Sequence, residues 1–256
     1  MDRVIFTPYF IGEHVPGLEH LALPGWQRNT ASLAAGDAQQ RMVALFRPLA
    51  EMVAAIVRSG DRPVSFAGDC CSAIGVLAGL QRAGLDPTQV WLDAHGDFNT
   101  WETSPSGFLG GMPLAMLTGR GEQTIVQALG LQPLADARVV LSDARDLDSG
   151  ERKTLLASRV KHFSHFEELL QWPLPGGSLY LHLDVDVIAP AEAPAMDYPV
   201  PGGPSAELVG AFLERLSSSG QLVAVSISAW NPAKDSDAQT ERLVMSLLGP
   251  FLGCPS

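Results

Sequence analysis

The sequence predicts an α/β protein with three layers, in which helices cover both faces of a mostly parallel, doubly wound sheet. Two observations carry this prediction. Short apolar runs alternate along the chain with segments whose apolar residues recur at helical spacing. The runs are apolar almost throughout, which is typical of strands that are covered on both faces. A chain of 256 residues, 46% of them hydrophobic, is long enough for this architecture, and we expect residues 1–256 to form one domain.

The apolar runs predict strands, and the segments between or after them predict helices. Six strands are expected, at 3–6, 63–67, 90–93, 138–142, 178–185 and 222–229. Four helices are expected, at 37–60, 72–84, 205–220 and 240–251. Ser205 has the side chain of an N-cap for the third helix. The Pro-rich stretch 189–204 lies between a strand and a helix, so we expect an ordered loop there rather than a linker.

The charge balance argues against several classes of partner. The chain has 17 basic and 28 acidic residues, a net charge of −11, so we expect no basic surface for nucleic acid or an anionic membrane. No run of about 18 apolar residues is present to span a bilayer, and the N-terminal residues lack the pattern of a signal peptide. Three cysteines, Cys70, Cys71 and Cys254, suit a reducing compartment. We therefore expect a cytoplasmic protein.

Unusual polar residues follow three of the predicted strands. DAHGDFN comes after VWL, DVDVIAP after SLYLHL, and GDCCS after PVSFA. In an extended chain Asp93, His95 and Asp97 point the same way, because they are two residues apart. Asp184 and Asp186 repeat this spacing on another strand. Since ligands gather at the carboxyl ends of parallel strands, we expect these side chains to meet at one edge of the sheet.

Four carboxylates and an imidazole in a small volume need a counter-charge, because like charges at short distance do not all remain ionised. Two divalent cations balance four carboxylates, and a hydroxide held between them completes a two-metal hydrolase. Oxygen ligands with one imidazole suit Mn²⁺. The simpler alternative is that these acids belong to turns and helix caps, with the histidine in the core. An EF-hand is excluded, since DVDVIAP has no glycine at its sixth position.

In this order, GDCCSAIG, DAHGDFN and DVDVIAP resemble the motifs of the arginase and agmatinase ureohydrolases, binuclear manganese enzymes that cleave guanidino compounds. The resemblance runs from about residue 63 to about residue 235. It implies an arginase-like fold, two Mn²⁺ ions and a catalytic role for Asp97, which would orient the nucleophile and take up its proton. It also implies that Asp93 and Asp184 bridge the metals. The full set of implied metal ligands is Cys70, Asp93, His95, Asp97, Asp184 and Asp186.

Two further segments resemble those with which the family binds an amino-acid substrate. TWETSPSGFLGGMPL, at 100–114, is similar to a loop that binds the α-carboxylate, with Asn99 and Ser106 at hydrogen-bonding positions and Phe108 in place of an amide. SDARDLDSGE, at 142–151, is similar to a segment that contacts the α-amino group, with Asp148 and Glu151 at the contacting positions. The alternative for these two acids is a helix that starts after Asp148 and has Glu151 in its first turn.

Three positions depart from the family's pattern. Cys70 stands in place of a metal-binding histidine: either its thiolate is a softer ligand with a further negative charge, or it is a small buried residue and the first metal is weak or absent. Gly110 replaces a histidine that is thought to carry protons to the leaving amine. Ala229 replaces the glutamate that holds the guanidinium group. Without the last two groups, arginine itself is expected to be a poor substrate.

The sequence therefore indicates a manganese-dependent hydrolase in which metal-bound hydroxide cleaves a C–N bond of a guanidino or N-hydroxyguanidino amino acid. The cysteine, DAHGDFN and LGGM are also similar to the hydroxyarginine hydrolases of cycloserine biosynthesis, which release hydroxyurea and ornithine, although those enzymes keep the glutamate that is Ala229 here. Two alternatives stay open. One is a family member that binds an amino-acid-like ligand with little turnover, and the other is a formimino or amide C–N hydrolase. The sequence leaves the oligomeric state open.

Overall fold

The computed structural model describes residues 1–31, 33, 36–228 and 230–252, so Ala229 and Cys254 lie outside the described residues. The strands are β1 (Asp2–Thr7), β2 (Tyr9–Phe10), β3 (Glu13–His14), β4 (Gln27–Arg28), β5 (Arg62–Ala67), β6 (Thr88–His95), β7 (Val139–Asp146), β8 (Lys161–Phe163), β9 (Leu179–Asp184) and β10 (Leu222–Ser228). The α-helices are α1 (Ala38–Arg58), α2 (Ser72–Arg82), α3 (Pro113–Leu117), α4 (Thr124–Leu129), α5 (Ser149–Ala157), α6 (Phe166–Gln171), α7 (Ala206–Ser218), α8 (Gln239–Leu247) and α9 (Gly249–Leu252).

Eight of the strands form one sheet, in the order β4-β1-β5-β10-β9-β6-β7-β8. Every pair of neighbours in this sheet is parallel, while β2 and β3 form a separate antiparallel pair. Parallel strands end at the same edge, so the segments after β5, β6, β9 and β10 emerge side by side. This edge is where the sequence analysis expects the polar residues to meet.

Helices cover both faces of the sheet. Trp91 packs in a hydrophobic cluster with residues of α1 and α2. Its neighbours Val90 and Leu92 pack in a second cluster with residues of α7. Because successive side chains of a strand point to opposite faces, the two clusters lie on the two sides of the sheet. The structure thus confirms the three-layer α/β fold with a parallel sheet.

The predicted strands and helices are present, with bounds that differ by no more than four residues. The predicted helix 240–251 is wrong in one respect, since it is divided into α8 and α9. Pro250 lies just after the division, where it has no backbone N–H to donate and its ring crowds the preceding turn. Ser205 is confirmed as an N-cap, because its Oγ accepts a hydrogen bond from the amide of Leu208 at 3.2 Å. The stretch 189–204 is a loop, as expected.

The sequence does not predict the short elements β2, β3, β4, β8, α3, α4 and α6, while α5 starts where the alternative for Asp148 and Glu151 places a helix. The four strands have two or three residues each, which is too few to show a period. Within the described ranges, none of the helices combines the length and the apolar character that crossing a bilayer requires.

Candidate metal centre

The six predicted metal ligands meet at the carboxyl edge of the sheet. Cys70 lies between β5 and α2, Asp93 and His95 are in β6, and Asp184 is the last residue of β9. Asp97 and Asp186 lie in the turns that follow β6 and β9. We call these six residues the ligand cluster. Its side chains come from three separate segments of the chain that the sheet order brings together.

Two groups of three residues in the ligand cluster have their ligand atoms within 4.8 Å of one another. One group is Cys70, Asp93 and Asp97, and the other is Asp93, His95 and Asp186. Asp93 belongs to both, which is the position of a bridging ligand. Asp184 belongs to neither, but its Oδ2 accepts a hydrogen bond from Sγ of Cys70 at 2.8 Å. The structure brings all six together, and their binding of metal stays a prediction.

The backbone around the cluster differs from the extended arrangement that the sequence analysis assumed. Strand β6 ends at His95, and Asp97 has a φ of 49°, a left-handed conformation that Asp adopts more readily than most residues. Asp186 lies in a 3₁₀ turn, where its amide donates a hydrogen bond to Oδ1 of Asp184 at 2.8 Å. The expectation of an extended chain holds for Asp93 and His95, which both lie in β6, and is wrong for Asp97 and Asp186. Turns after the strands bring Asp97 and Asp186 into the cluster.

Burial and mutual repulsion make the carboxylates of the cluster hard to ionise. Burial, and then the charge of a neighbouring aspartate, raises the pKa of Asp97 and of Asp184 well above its ordinary value. Burial and the charge of Asp186 raise the pKa of Asp93 to about 6. Burial would lower the pKa of His95, but hydrogen bonds with Asp186 and Asp93 raise it to about 12. With these carboxylates ionised, the cluster would carry excess negative charge, which a cation would compensate.

Asp97 gives a separate indication that a cation fits this place. Its Oδ2 is buried and has no hydrogen-bond partner among the described residues. A buried carboxylate oxygen without a partner is costly unless a proton or a metal compensates it. Carboxylates with one imidazole and one thiol form a donor set that divalent metals accept. The residues present therefore fit the two cations that the sequence analysis expects.

A chain of buried polar groups lies behind Cys70. Sγ of Cys70 is 3.1 Å from Oγ of Ser228, which is 3.3 Å from Nε2 of His182. Nδ1 of His182 is 2.8 Å from Oγ of Ser226, which is 2.7 Å from the hydroxyl of Tyr180. Burial lowers the pKa of His182 to about 3, so this imidazole is neutral. None of these four residues was predicted from the sequence. The signal that could have indicated them is His182, a histidine within an otherwise apolar strand.

A cavity of about 470 Å³ opens beside the ligand cluster. The four residues predicted to contact an amino-acid substrate, Asn99, Ser106, Asp148 and Glu151, all line it. In the described part of the chain no lysine or arginine lines this cavity, so His95 is the one basic side chain there. The acids that line it are Asp69, Asp97, Asp146, Asp148, Glu151, Asp184 and Asp186. Such a lining favours a positively charged ligand.

Asp148 and Glu151 also start a helix, as the alternative for them states. Oε2 of Glu151 accepts a hydrogen bond from the amide of Asp148 at 3.1 Å, and its Oε1 accepts one from Phe98 at 2.9 Å. A Cβ on Gly96 would lie 2.5 Å from Oε1 of Glu151, so this close approach requires glycine there. Oδ2 of Asp148 accepts a hydrogen bond from Nδ2 of Asn99 at 3.0 Å. Glu151 therefore holds the backbone around DAHGDFN in place while it lines the cavity.

Three aromatic residues, Phe10, Phe108 and Tyr198, also line the cavity. The sequence analysis identified Phe108 only as the replacement of an amide, and it missed Phe10 and Tyr198. Phe10 belongs to a strand of two residues, and Tyr198 to the loop 189–204. Neither position carries a local pattern that points to a site, because only the tertiary structure brings the three rings together.

Comparisons with known proteins agree with this geometry. The arginase family model matches residues 18–253. The arginase of Bacillus subtilis (strain 168) is 34% identical over 217 residues, which cover 80% of this chain and 73% of that protein. A crystal structure of Bacillus subtilis arginase superposes with a TM-score of 0.85 at 28% identity, covering 100% of this chain and 99% of the other. The native structure of Bacillus caldovelox arginase gives a TM-score of 0.86 at 25% identity, covering 100% and 99%. This chain belongs to the arginase family.

Proposed function

We propose that the protein is a manganese-dependent hydrolase that cleaves a C–N bond of a guanidino or N-hydroxyguanidino amino acid. N-hydroxyarginine is the favoured substrate, with hydroxyurea and ornithine as products, and the reaction takes place in the cytoplasm. The observation that carries the proposal is the place of Asp93 in both groups of ligands, beside a cavity lined by acids. Membership of the arginase family supports a ureohydrolase reaction.

The ligand cluster would hold two Mn²⁺ ions, with Asp93 and Asp184 between them. When bound, the cations supply a nucleophile by lowering the pKa of water. Oδ2 of Asp97, which has no hydrogen-bond partner among the described residues, offers this water an acceptor. Asp97 is therefore assigned the role of orienting the water and holding its proton.

The other residues of the cavity favour an amino acid with an activated end group. Asn99, Ser106 and Asp148 offer hydrogen-bonding groups and a carboxylate for the amino-acid end. Where the sequence resembles the segments that serve the reacting end, Gly110 has no side chain to carry a proton, and Ala229 has no carboxylate to pair with a guanidinium. An N-hydroxyguanidine is less basic than a guanidine, so it depends less on both groups.

A product assay tests the proposed function. The manganese-loaded protein is incubated with N-hydroxyarginine, arginine, agmatine, and a panel of formimino and amide compounds. Urea, hydroxyurea, formamide and ammonia are then quantified separately. We expect hydroxyurea and ornithine from N-hydroxyarginine. Formamide or ammonia as the main product would favour the formimino or amide hydrolase instead. Two bound metals without turnover of any compound would favour a ligand-binding member of the family.

A further inference from the structure

We infer that Phe10, Phe108 and Tyr198 form an aromatic wall that selects ligands whose end group is planar and delocalised. The inference rests on the proposed function in one respect, since the ligand is taken to be an amino acid held in the same cavity. It goes further by assigning the recognition of the end group to aromatic faces. Phe108 belongs to the loop that resembles an α-carboxylate-binding one, but its ring reaches the place of a side chain at position 110, which belongs to the reacting end. In the arrangement that the sequence resembles, a carboxylate recognises the end group, and that carboxylate is absent at Ala229.

The three rings contact one another although they come from distant parts of the chain. The ring centroids of Phe10 and Phe108 are 6.2 Å apart, and the two planes are inclined by only 23°. The centroids of Phe108 and Tyr198 are 5.5 Å apart, with the planes inclined by 45°. These separations are typical of favourable aromatic pairs. Phe108 is thus the central ring of a continuous aromatic surface on one side of the cavity.

Gly110 leaves room for the central ring because it has no side chain. A Cβ on Gly110 would lie 2.3 Å from Cε1 of Phe108 and 2.6 Å from Cζ, which is far inside van der Waals contact. The ring of Phe108 therefore occupies the space where a side chain at position 110 would begin. The glycine and the phenylalanine act together: the first leaves the space, and the second fills it with an aromatic face.

The charges of the cavity explain why such a face is useful. A carboxylate attracts a flat cation and a tetrahedral one, and in both cases the attraction depends on the positive charge. An aromatic face favours the flat group, because guanidinium-like groups stack on it with their whole plane. Stacking also requires less positive charge than an ion pair does. A planar group made less basic by an N-hydroxy substituent would therefore still bind.

Binding of three amino acids to the manganese-loaded protein tests the wall. Arginine is planar and charged at its end group, citrulline is planar and neutral, and lysine is charged but not planar. All three share the amino-acid end, so its contacts cancel in the comparison. In isothermal titration calorimetry we expect Phe108→Leu to lower the affinity for arginine and for citrulline by about three- to thirtyfold. The affinity for lysine should change by less than about twofold. Phe108→Tyr, which keeps an aromatic ring, should keep the preference for planar end groups.

Two further variants sharpen the test. Gly110→Ala removes no aromatic residue but places a methyl group against the ring of Phe108. It should lower the affinity for arginine and leave the affinity for lysine unchanged. Trp101→Leu is the matched control, because Trp101 is an exposed aromatic residue of the same loop and does not line the cavity. It should leave the binding of all three amino acids unchanged.

The outcomes separate this inference from the proposed function. If Phe108→Leu lowers the affinity for all three amino acids equally, or lowers none of them, the inference of an aromatic wall is overturned. A wild-type protein that binds arginine and citrulline no more tightly than lysine would overturn it as well. If the protein prefers planar end groups but hydrolyses none of the compounds in the product assay, the aromatic wall is supported and the proposed reaction is refuted. If it hydrolyses N-hydroxyarginine but Phe108→Leu leaves binding unaltered, the proposed reaction is supported and the aromatic wall is refuted.

Discussion

Sγ of Cys70 lies 2.8 Å from Oδ2 of Asp184, although 114 residues separate them in the sequence. The thiol is therefore inside the ligand cluster, and it shares a group of ligand atoms with Asp93 and Asp97. Burial and the charge of Asp184 raise the pKa of the Cys70 thiol well above its ordinary value. A bound cation favours the thiolate, because metals displace the protons of their ligands. This geometry favours Cys70 as a ligand over a small residue of the core.

Replacing this cysteine by the family's usual ligand tests its role. We expect Cys70→His to keep two manganese ions per chain and to raise kcat, because a neutral imidazole donates less charge than a thiolate and leaves the metals stronger Lewis acids. Elemental analysis and steady-state kinetics measure the two effects. Cys71→Ser is the matched control, since Sγ of Cys71 faces the carbonyl oxygen of Leu109 at 3.6 Å. Loss of metal in Cys71→Ser, with metal kept in Cys70→Ser, would contradict this assignment.

Asp93 should hold both metals at once. Because it belongs to both groups of ligands, we expect Asp93→Ala to remove both ions rather than one, and Asp184→Ala to do the same if it is the second bridge. Asp86→Asn is a suitable control, because this carboxylate is exposed and pairs with Arg138 at 2.9 Å. Metal content per chain is measured by elemental analysis after dialysis. Two ions in either cluster variant would refute a shared bridging ligand.

Ser228 should support the metal site through Cys70. Its Oγ is 3.1 Å from the sulfur, so Ser228→Ala removes a hydrogen-bonding partner of the ligand. Loss of such an outer contact lowers metal affinity by about tenfold or more. Ser65→Ala is a matched control, because Ser65 is a fully buried serine on the neighbouring strand β5 and its Oγ has no partner among the described residues. Equal manganese affinities in the two variants would show that the contact with Cys70 has no such effect.

The stabilisation by manganese should grow with pH. The pKa of Asp93 is about 6 in the folded chain, against an ordinary value of 3.8. Without metal, the folded state therefore binds more protons than the unfolded state, and Asp93 lowers the free energy of unfolding as pH rises from about 4 to about 6. Manganese competes with the same protons, so it binds more tightly as pH rises. We expect the increase in Tm on adding Mn²⁺ to be larger at about pH 7.5 than at about pH 5. A calorimetric increase that is equal at both pH values would contradict this.

The preference between N-hydroxyarginine and arginine should depend on the histidine and the glutamate that Gly110 and Ala229 replace. We expect kcat/KM for N-hydroxyarginine to exceed that for arginine by at least about tenfold, roughly 1.4 kcal/mol in transition-state binding. Agmatine, which lacks the carboxylate, should be poorer still. Ala229→Glu should narrow the gap between N-hydroxyarginine and arginine by providing a partner for a cationic guanidinium group. Efficient hydrolysis of arginine by the unmodified protein would mean that another residue does the work of the missing glutamate.

The predictable part of this molecule is the part that long apolar runs and strand ends encode. The runs at 90–93 and 178–185 belong to strands, and Asp93 and Asp186, at the ends of these strands, meet as expected. Asp97 shows where this reasoning fails, because its place depends on a left-handed φ that no periodicity reports. The parallel direction of the strands could likewise be predicted from the alternation of strands and helices alone. That prediction did not require the short strands β4 and β8 at the edges of the sheet.

The aromatic residues of the cavity could not be predicted, for a different reason. Phe10, Phe108 and Tyr198 lie in short or irregular segments, so their neighbours in sequence carry no information about their neighbours in space. Gly110 is similar, since the sequence shows only that a histidine of the family is missing there. That the ring of Phe108 fills the space follows from the folded backbone alone.

The position of β10 in the sheet sets the order in which the protein is able to fold. This strand is the last one along the described part of the chain, yet it lies between β5 and β9. Until residues 222–228 have left the ribosome, β5 and β9 have no partner on their facing edges, and Cys70 has nothing to hold it beside Asp184. The contacts that complete the sheet thus join residues far apart in sequence, and contacts of this kind form slowly. A nascent chain that already carries all six ligands can therefore bring Asp93, His95 and Asp186 together on β6 and β9, but Cys70 joins them only when β10 inserts.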